Sequence, residues 1–557
     1  MNIKGLVRQT RVYQILNHWR KSVLSADYRC WDRKYREDFD RFCKLEGGLG
    51  LQQDVRPKGV KPKTALIISG WSFRFVKMEA LMIKAFKMAG FETLVMGNRR
   101  YEFLRYGYLA GNKKVIEPFD YNTKGDPEWV DRQMGRLGAL HDWLSLEYEG
   151  VHVGRFVIAS TLRSLMVGQL DFNDPNVQER LRATLESSVL HTLRAKKVFK
   201  EIKPDCVLVM DRGYTGYGEV FDLAINSGID VVNWFLGYKS NCIFVKRYNS
   251  GNEREHPLCP SAETWRLLCS IPWNPEYGHG VREELFECYQ KQDWWSVIGN
   301  QFDKQIKSPQ ETRKTLGLSS DKKVAVILPH ILWDGSFFYG KDLFDDYTQW
   351  FVETIRAACA NSRLQWVIKI HPAHVVKNKA VNYLGKTAEV NVIERVFGNL
   401  PDHVKLAYPD TDLSTYSFYE IADYAVTVRG TVGFEASLLG VPVVTAGTGR
   451  YDRRGFTLDS NTRQEYLHKL ATLETYPRLS KEQIEIAERY AYGALLCRPL
   501  SLSSVSLEYA RDGKATMKVT VHCQTRQQWL ESPDMRKLAD WIADGKTEDL
   551  LELNALL

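Results

Sequence analysis

Residues Tyr424–Gly449 read YAVTVRGTVGFEASLLGVPVVTAGTG, and no other stretch limits the fold as tightly. Tyr424–Val428 is β-rich, Arg429-Gly430-Thr431-Val432-Gly433 is a turn with two glycines, and Phe434–Leu439 is helix-prone and stops at Gly440. Val441–Ala446 then reads as an apolar strand opened by a proline. Strand, turn, helix and strand in such a short span form a βαβ unit, which belongs to a parallel sheet. The glycines let backbone N–H groups approach a ligand closely, and a helix N-terminus offers unpaired donors, which suits a phosphate. Thr431 is the expected N-cap, but the residue three further on is Phe434, so no capping box takes Glu435. Its carboxylate is then free to accept hydrogen bonds from a ribose diol. A plain βαβ turn with a solvated glutamate accounts for the same residues equally well.

The pattern recurs twice along the chain. Thr64–Ser69, the turn Gly70-Trp71, a helix over Lys77–Ala89, Gly90 and a strand at Glu92–Met96 open a first series. It lacks G-x-G-x-x-G, so no dinucleotide site is indicated. Residues 127–200 read as largely helical. They lead to the strand Asp205–Met210, the glycine-rich turn after Asp211, a helix over Val220–Asn226 and the strand Asp230–Trp234. A second series runs through strands Lys323–Leu328, Gln365–Ile370 and Val404–Tyr408, with helices over Tyr347–Ala360 and Tyr416–Ala422. Residues 248–315, rich in Trp, Pro and charge, show no clean period and read as helices plus a linker. Ser504–Tyr509 and Ala515–Cys523 alternate around Arg511-Asp512-Gly513, a hairpin signal, and a terminal helix follows. The expectation is an α/β protein with two Rossmann-like domains facing across a cleft and a helical/hairpin extension. Its divisions are a basic helix and arm over 1–60, a first domain with helical insertions over 61–315, a second over 316–490, and the extension over 491–557.

With 557 residues, 44% apolar and 26% charged, the chain can bury two or three cores. A net charge of +8 is far from that of a dedicated nucleic-acid binder; it suits anionic small ligands or an anionic membrane surface. The ten cysteines show no C-x-x-C pair and no zinc spacing, which favours a reducing, cytoplasmic location. No apolar run reaches the ~18 residues a membrane span requires. Residues 1–26 carry five basic side chains and no acid, with Val12, Ile15, Leu16, Trp19 and Val23 at helical spacing. Such a helix fits the anionic inner face of a membrane, or packs on its own domain.

In open parallel sheets, ligands bind beyond the carboxyl ends of strands. His371, Arg429, Asp211 and the loop after Leu328 all hold such positions. A histidine there can donate to a phosphate oxygen, and its ordinary pKa allows partial positive charge. No D-x-D pair stands at a strand end of the second domain, so neither a metal nor another cofactor is expected.

IKIHPA at 368–373 and TVRGTVGFEASLLGVPVVTAGTGRYDRRGFT at 427–457 resemble the capsule polysaccharide biosynthesis proteins, GT-B glycosyltransferases related to the β-Kdo transferases of capsule assembly. The loop LPHILWDGSFFYGKDLFDDYTQWF at 328–351 is similar to a subset of that family. The resemblance covers about 320–500 well and the N-terminal half in outline. It implies a nucleotide-sugar donor, CMP-linked or otherwise, and a polysaccharide or glycolipid acceptor entering from the first domain. It gives His371 and Pro372 the donor phosphate and matches Glu435 to the family's acidic residue. The family often has Ser where this chain has Gly430, so Thr431 is expected to supply the hydroxyl. Arg429, Gly433, Tyr408 and Asp334 complete the expected donor set. The reaction also needs a carboxylate at the anomeric carbon, as base or as nucleophile. Asp211 is the first choice and Glu219 the second, although either would also serve as a cap for the helix that follows. Two other readings fit the same residues: a polyol-phosphate transferase of the CDP-glycerol type, and a non-catalytic module that binds sugar nucleotide or glycan.

Overall fold

The computed structural model describes residues 15–16, 19–20, 26–59, 61–69, 73–97, 101–112, 114–116, 123–509 and 517–552. The first half supplies strands β1 (Lys63–Ile68), β2 (Phe91–Met96), β3 (Lys114–Ile116), β4 (Cys206–Val209), β5 (Asp230–Leu236) and β6 (Cys242–Tyr248). The second supplies β7 (Val324–Ile327), β8 (Gln365–Lys369), β9 (Val404–Ala407), β10 (Tyr424–Thr427) and β11 (Val443–Thr445), and β12 (Leu500–Ser501), β13 (Val505–Tyr509) and β14 (Met517–Val521) follow. They make a seven-stranded sheet, ordered β12-β6-β5-β4-β1-β2-β3, a five-stranded sheet, ordered β11-β10-β7-β8-β9, and a hairpin of β13 and β14. The five-stranded sheet is parallel throughout. In the larger sheet β6 alone runs against the rest, pairing antiparallel with β5 on one side and β12 on the other.

Short, wholly apolar strands such as VAVI and YAVT are buried along their full length, as strands covered by helices on both faces must be. Each sheet also reverses its strand order once, at β1 between β2 and β4, and at β7 between β8 and β10. Crevices form at such reversals. The chain is therefore an α/β protein of two Rossmann-like domains, as expected. One apolar cluster joins them, running from Ile158 and Leu162 through Leu332 and Trp350 to Trp366.

Two segments depart from the sequence expectation. Residues 27–60, read as an irregular arm, contain the helix Ala26–Leu45. Its dense charge hides the spacing of Tyr35, Phe39 and Phe42, two of which are buried. Strand β6 was not expected, because Lys246 and Arg247 sit inside it. Lys246 is nevertheless buried, with its amine 2.9 Å from Glu255 and 3.7 Å from Asp549. The extension folds back on the first domain. The Arg247 backbone N–H donates to Glu548 O at 2.8 Å, and helix Pro533–Asp544 packs on helix Phe73–Met88. Gly70-Trp71, the turn Arg511-Asp512-Gly513 and most of the basic segment 1–26 lie outside the described residues. Of that segment, Leu16 and Trp19 are 59% and 68% exposed. Among the described residues no helix is long and apolar enough to cross a membrane.

Candidate active site

A cavity of about 480 Å³ opens where the two strand-order reversals face each other. The second sheet contributes Pro329 and His330 after β7, Lys369 and His371 at the end of β8, and Arg429, Gly430 and Thr431 after β10. The first contributes Asp211 and Tyr214 after β4, with Arg163 from the helix Val153–Leu165. Tyr289, Trp294, Trp295, Asn300 and Gln301 from the connecting segment close one end.

The His371 ring accepts the Ala373 backbone N–H at Nδ1, 3.2 Å away, which leaves the proton on Nε2. Burial, with Lys369 and His374 nearby, pushes its pKa well below the ordinary value. His371 is therefore a neutral donor and lacks the partial charge expected of it. Pro372 caps the helix Ala373–Ala380 and lines the same wall. Lys369 is 4% exposed and has no hydrogen-bond or ion-pair partner among the described residues. Burial and Lys304 lower its pKa to about 7, although Glu435 pulls it up. His330 receives the Arg429 backbone N–H at 3.2 Å, and burial beside Arg429 and Arg450 lowers its pKa to about 3.

Asp211 lines the cavity, its Oδ1 accepting the backbone N–H groups of Arg212 (2.7 Å) and Gly213 (3.2 Å). Burial raises its pKa against the pull of Arg163. Asp334 bridges the domains. It accepts from Tyr214 Oη at 2.7 Å, pairs with Lys377, and lies 3.8 Å from Arg163. Against the cost of burial, Lys377 and Arg163 hold its carboxyl well below the usual range. Its place is thus a cross-cleft bridge, with both oxygens already engaged.

Other expected residues also take different roles. Glu219 does not reach the cavity. It is fully buried, accepting from Ser188 Oγ (2.5 Å) and the Gly216 N–H (2.7 Å), and burial raises its pKa to about 7. Glu435 lies behind the cavity wall, its Oε2 accepting from Tyr289 (2.6 Å) and Tyr419 (2.9 Å). Arg429 uses its fork inside the protein, donating to Thr448 O (3.0 Å), Lys341 O (3.2 Å) and Asp342. Gly433 makes room for an aromatic ring, since a Cβ there would lie 1.9 Å from Tyr451. Tyr408 is 51% exposed and faces a separate outer groove. Gly430 and Thr431 do line the cavity, and Thr431 makes no side-chain cap. Lys369, Arg163 and Lys377 were not singled out from the sequence. A lysine inside the apolar run QWVIKI was a signal for the first; the other two depend on the domain pairing. Among the described residues no group of three His, Cys, Asp or Glu side chains converges as metal ligands do.

Two Rossmann-like domains closing on a basic, partly aromatic cavity define a protein of the GT-B layout. Residues 276–482 match the family model described as capsule polysaccharide biosynthesis protein. No curated protein matches the sequence. Among solved structures it is similar to the Thermosulfurimonas dismutans KpsC beta Kdo 2,4 transferase, at 14% identity over 58% of this chain and 90% of that one, with a TM-score of 0.33. It is also similar to a UDP-GlcNAc 2-epimerase from Neisseria meningitidis bound to UDP-GlcNAc, at 15% identity over 77% and 94%, with a TM-score of 0.27. The spinosyn rhamnosyltransferase SpnG is similar at 12% identity over 77% and 95%, again with a TM-score of 0.27. These are distant likenesses of layout.

Proposed function

We propose that the chain is a glycosyltransferase that moves a sugar from a nucleotide-linked donor to a growing surface polysaccharide or glycolipid. CMP is the first nucleotide to test, as the family resemblance implies. One observation carries the reading: the Lys369 amine, buried over the Phe418 ring and with no hydrogen-bond or ion-pair partner among the described residues, faces a cavity beside the neutral donor His371. A buried ammonium requires an anion, and a nucleotide phosphate supplies one. As the nucleotide departs, negative charge grows on that phosphate. A protonated Lys369 and the His371 Nε2–H are placed to stabilise it, with the Thr431 hydroxyl on the same wall. Asp211 faces them from the other domain, next to Arg163, and serves as the carboxylate at the anomeric carbon. The aromatic end at Trp294 and Trp295 suits a nucleobase.

The test is a melting curve with CMP, CDP and UDP in turn. A bound nucleotide at 100 times its Kd stabilises by about 2.7 kcal/mol. One of the three should raise the melting temperature of the parent, and Lys369→Met should lose most of that rise. No response to any nucleotide, or an unchanged response in Lys369→Met, would overturn the donor-site reading.

A further inference from the structure

A second cavity of about 150 Å³ lies behind Phe338, whose ring also lines the main cavity. Its walls carry Arg155, Arg212 and Arg254 together with His152, Asp222 and Glu253. None of the three guanidinium groups has a carboxylate partner among the described residues. Arg212 donates its two terminal nitrogens to the carbonyls of Glu253 and Glu255, and its Nε is buried without an acceptor. Arg254 donates to the carbonyls of Phe337 (3.0 Å) and Gly340 (2.7 Å). Arg155 has no side-chain partner among the described residues. Of the two acids, Asp222 is taken by His152, through the ring at 2.8 Å and the backbone N–H at 3.0 Å. The lining thus sets two carboxylates, Asp222 and Glu253, against three guanidinium groups, with Asp342 also close to Arg254. Burial, with Arg155, Arg212 and Arg429 close by, pulls even the Arg254 guanidinium down to about 10.

Arginine forks match the oxygens of phosphate and carboxylate groups, and a guanidinium does not relieve crowding by losing its proton at neutral pH. We infer that this pocket binds a phosphate-class oxyanion and that the bound anion steadies the turn dividing it from the main cavity. The turn is held on both sides. Arg254 grips Phe337 O and Gly340 O, and the Gly340 N–H donates back to Arg254 O at 2.7 Å. Phe337 holds a left-handed φ of 73°, costly for a residue with a Cβ. The Phe338 ring fits so closely over Gly213 that a Cβ there would lie 2.0 Å from it. Charge added beside Arg254 therefore acts on the wall that both cavities share. The anion has two conceivable sources, a free phosphate or a phosphate carried by the acceptor.

The experiment titrates the full chain with inorganic phosphate, followed by calorimetry and by hydrogen exchange over 337–342. Arg155→Gln is the informative variant, because that side chain holds nothing else in place; its melting curve without phosphate should match the parent. The parent and Lys369→Met should both bind phosphate saturably, Arg155→Gln at least tenfold more weakly, and exchange over 337–342 should slow on binding. Equal binding by Arg155→Gln, loss of all binding in Lys369→Met, or unchanged exchange would each overturn the inference. Glycerol phosphate, compared with inorganic phosphate, separates the sources: whichever binds more tightly identifies the natural form. The pocket stands apart from the donor reading, since a parent that ignores every nucleotide but binds phosphate through Arg155 would sink only the latter.

Discussion

Tyr289 donates its hydroxyl hydrogen to Glu435 Oε2 across 2.6 Å, tying the helix Pro275–Gln290 to the helix behind the glycine turn. Tyr419 donates to the same oxygen, and the Thr431 hydroxyl also favours the charged carboxylate. The glutamate therefore braces two tyrosines that line the cavity. Glu435→Ala removes the acceptor that both hydroxyls share and leaves them only their 3.5 Å contact with each other, at about 1–3 kcal/mol for a group left unpaired. Glu435→Gln keeps one acceptor oxygen and should melt close to the parent. Urea unfolding of the two variants checks this. A Gln variant that melts normally yet loses nucleotide binding would return Glu435 to the ribose.

Lys369 should make nucleotide binding depend on pH. In the empty protein its pKa is about 7, so the amine is mostly neutral at pH 8. A bound phosphate favours the charged amine and raises that pKa. Binding above pH 7 then takes up a proton, and affinity falls as pH rises, by up to about tenfold per pH unit. In the empty protein burial holds the His371 pKa well below its ordinary value, so Lys369 is the group that starts near its midpoint. Calorimetry in buffers of different ionisation enthalpy counts the proton, and Lys369→Met should show none.

Asp334 joins the domains through Tyr214 and Arg163 on one side and Lys377 on the other. Its folded pKa lies below the ordinary 3.8. Its stabilisation is therefore present above that value and is lost as pH falls through the lower, folded one. Asp334→Asn should lower stability at pH 7 by about 1.5–3 kcal/mol, as for a hydrogen bond to a charged group. It should also flatten the loss of stability seen in acid. Urea melts at pH 7 and at pH 3 measure both effects.

The sheets were legible because their strands are short apolar runs set between glycine turns; the expected limits of β7, β8 and β10 fall within one residue of those observed. β6 and the helix Ala26–Leu45 were not, because buried lysine and dense charge imitate a surface. At the site, strand ends gave His371, Asp211 and Thr431, since position in a parallel sheet decides what faces the crevice. What those ends could not give was the competition for each polar group. Arg429 and Glu435 looked free in the sequence, but Asp342 and Tyr289 reach them from 87 and 146 residues away. Lys369 shows the converse: only the Phe418 ring reaches it, no anion does among the described residues, and the amine is left for a ligand.

Asp211 and Glu219 begin as rival carboxylates, and their surroundings separate them. Asp211 lines the cavity, whereas Glu219 is enclosed by Ser188 and Gly216. Asp211→Asn should lower turnover by about 10²–10⁴-fold, the usual worth of a positioned base. Glu219→Gln should leave turnover near the parent's. The amide oxygen can keep the Gly216 N–H, and the amide nitrogen can donate to Ser188 Oγ, which only has to reverse its role. Stability should respond more than activity. Burial raises the Glu219 pKa from 4.5 to about 7, so between these values the folded protein holds a proton that the unfolded chain has released. Its contribution to stability is greatest below pH 4.5, falls as pH rises toward 7 and is flat above, a span of roughly 2–4 kcal/mol. Glu219→Gln removes that slope and should be relatively more stable than the parent at pH 8 than at pH 5. Unfolding curves at both values, with a transfer assay on each variant, decide the roles. A Glu219→Gln protein that folds normally but does not turn over would exchange the two assignments.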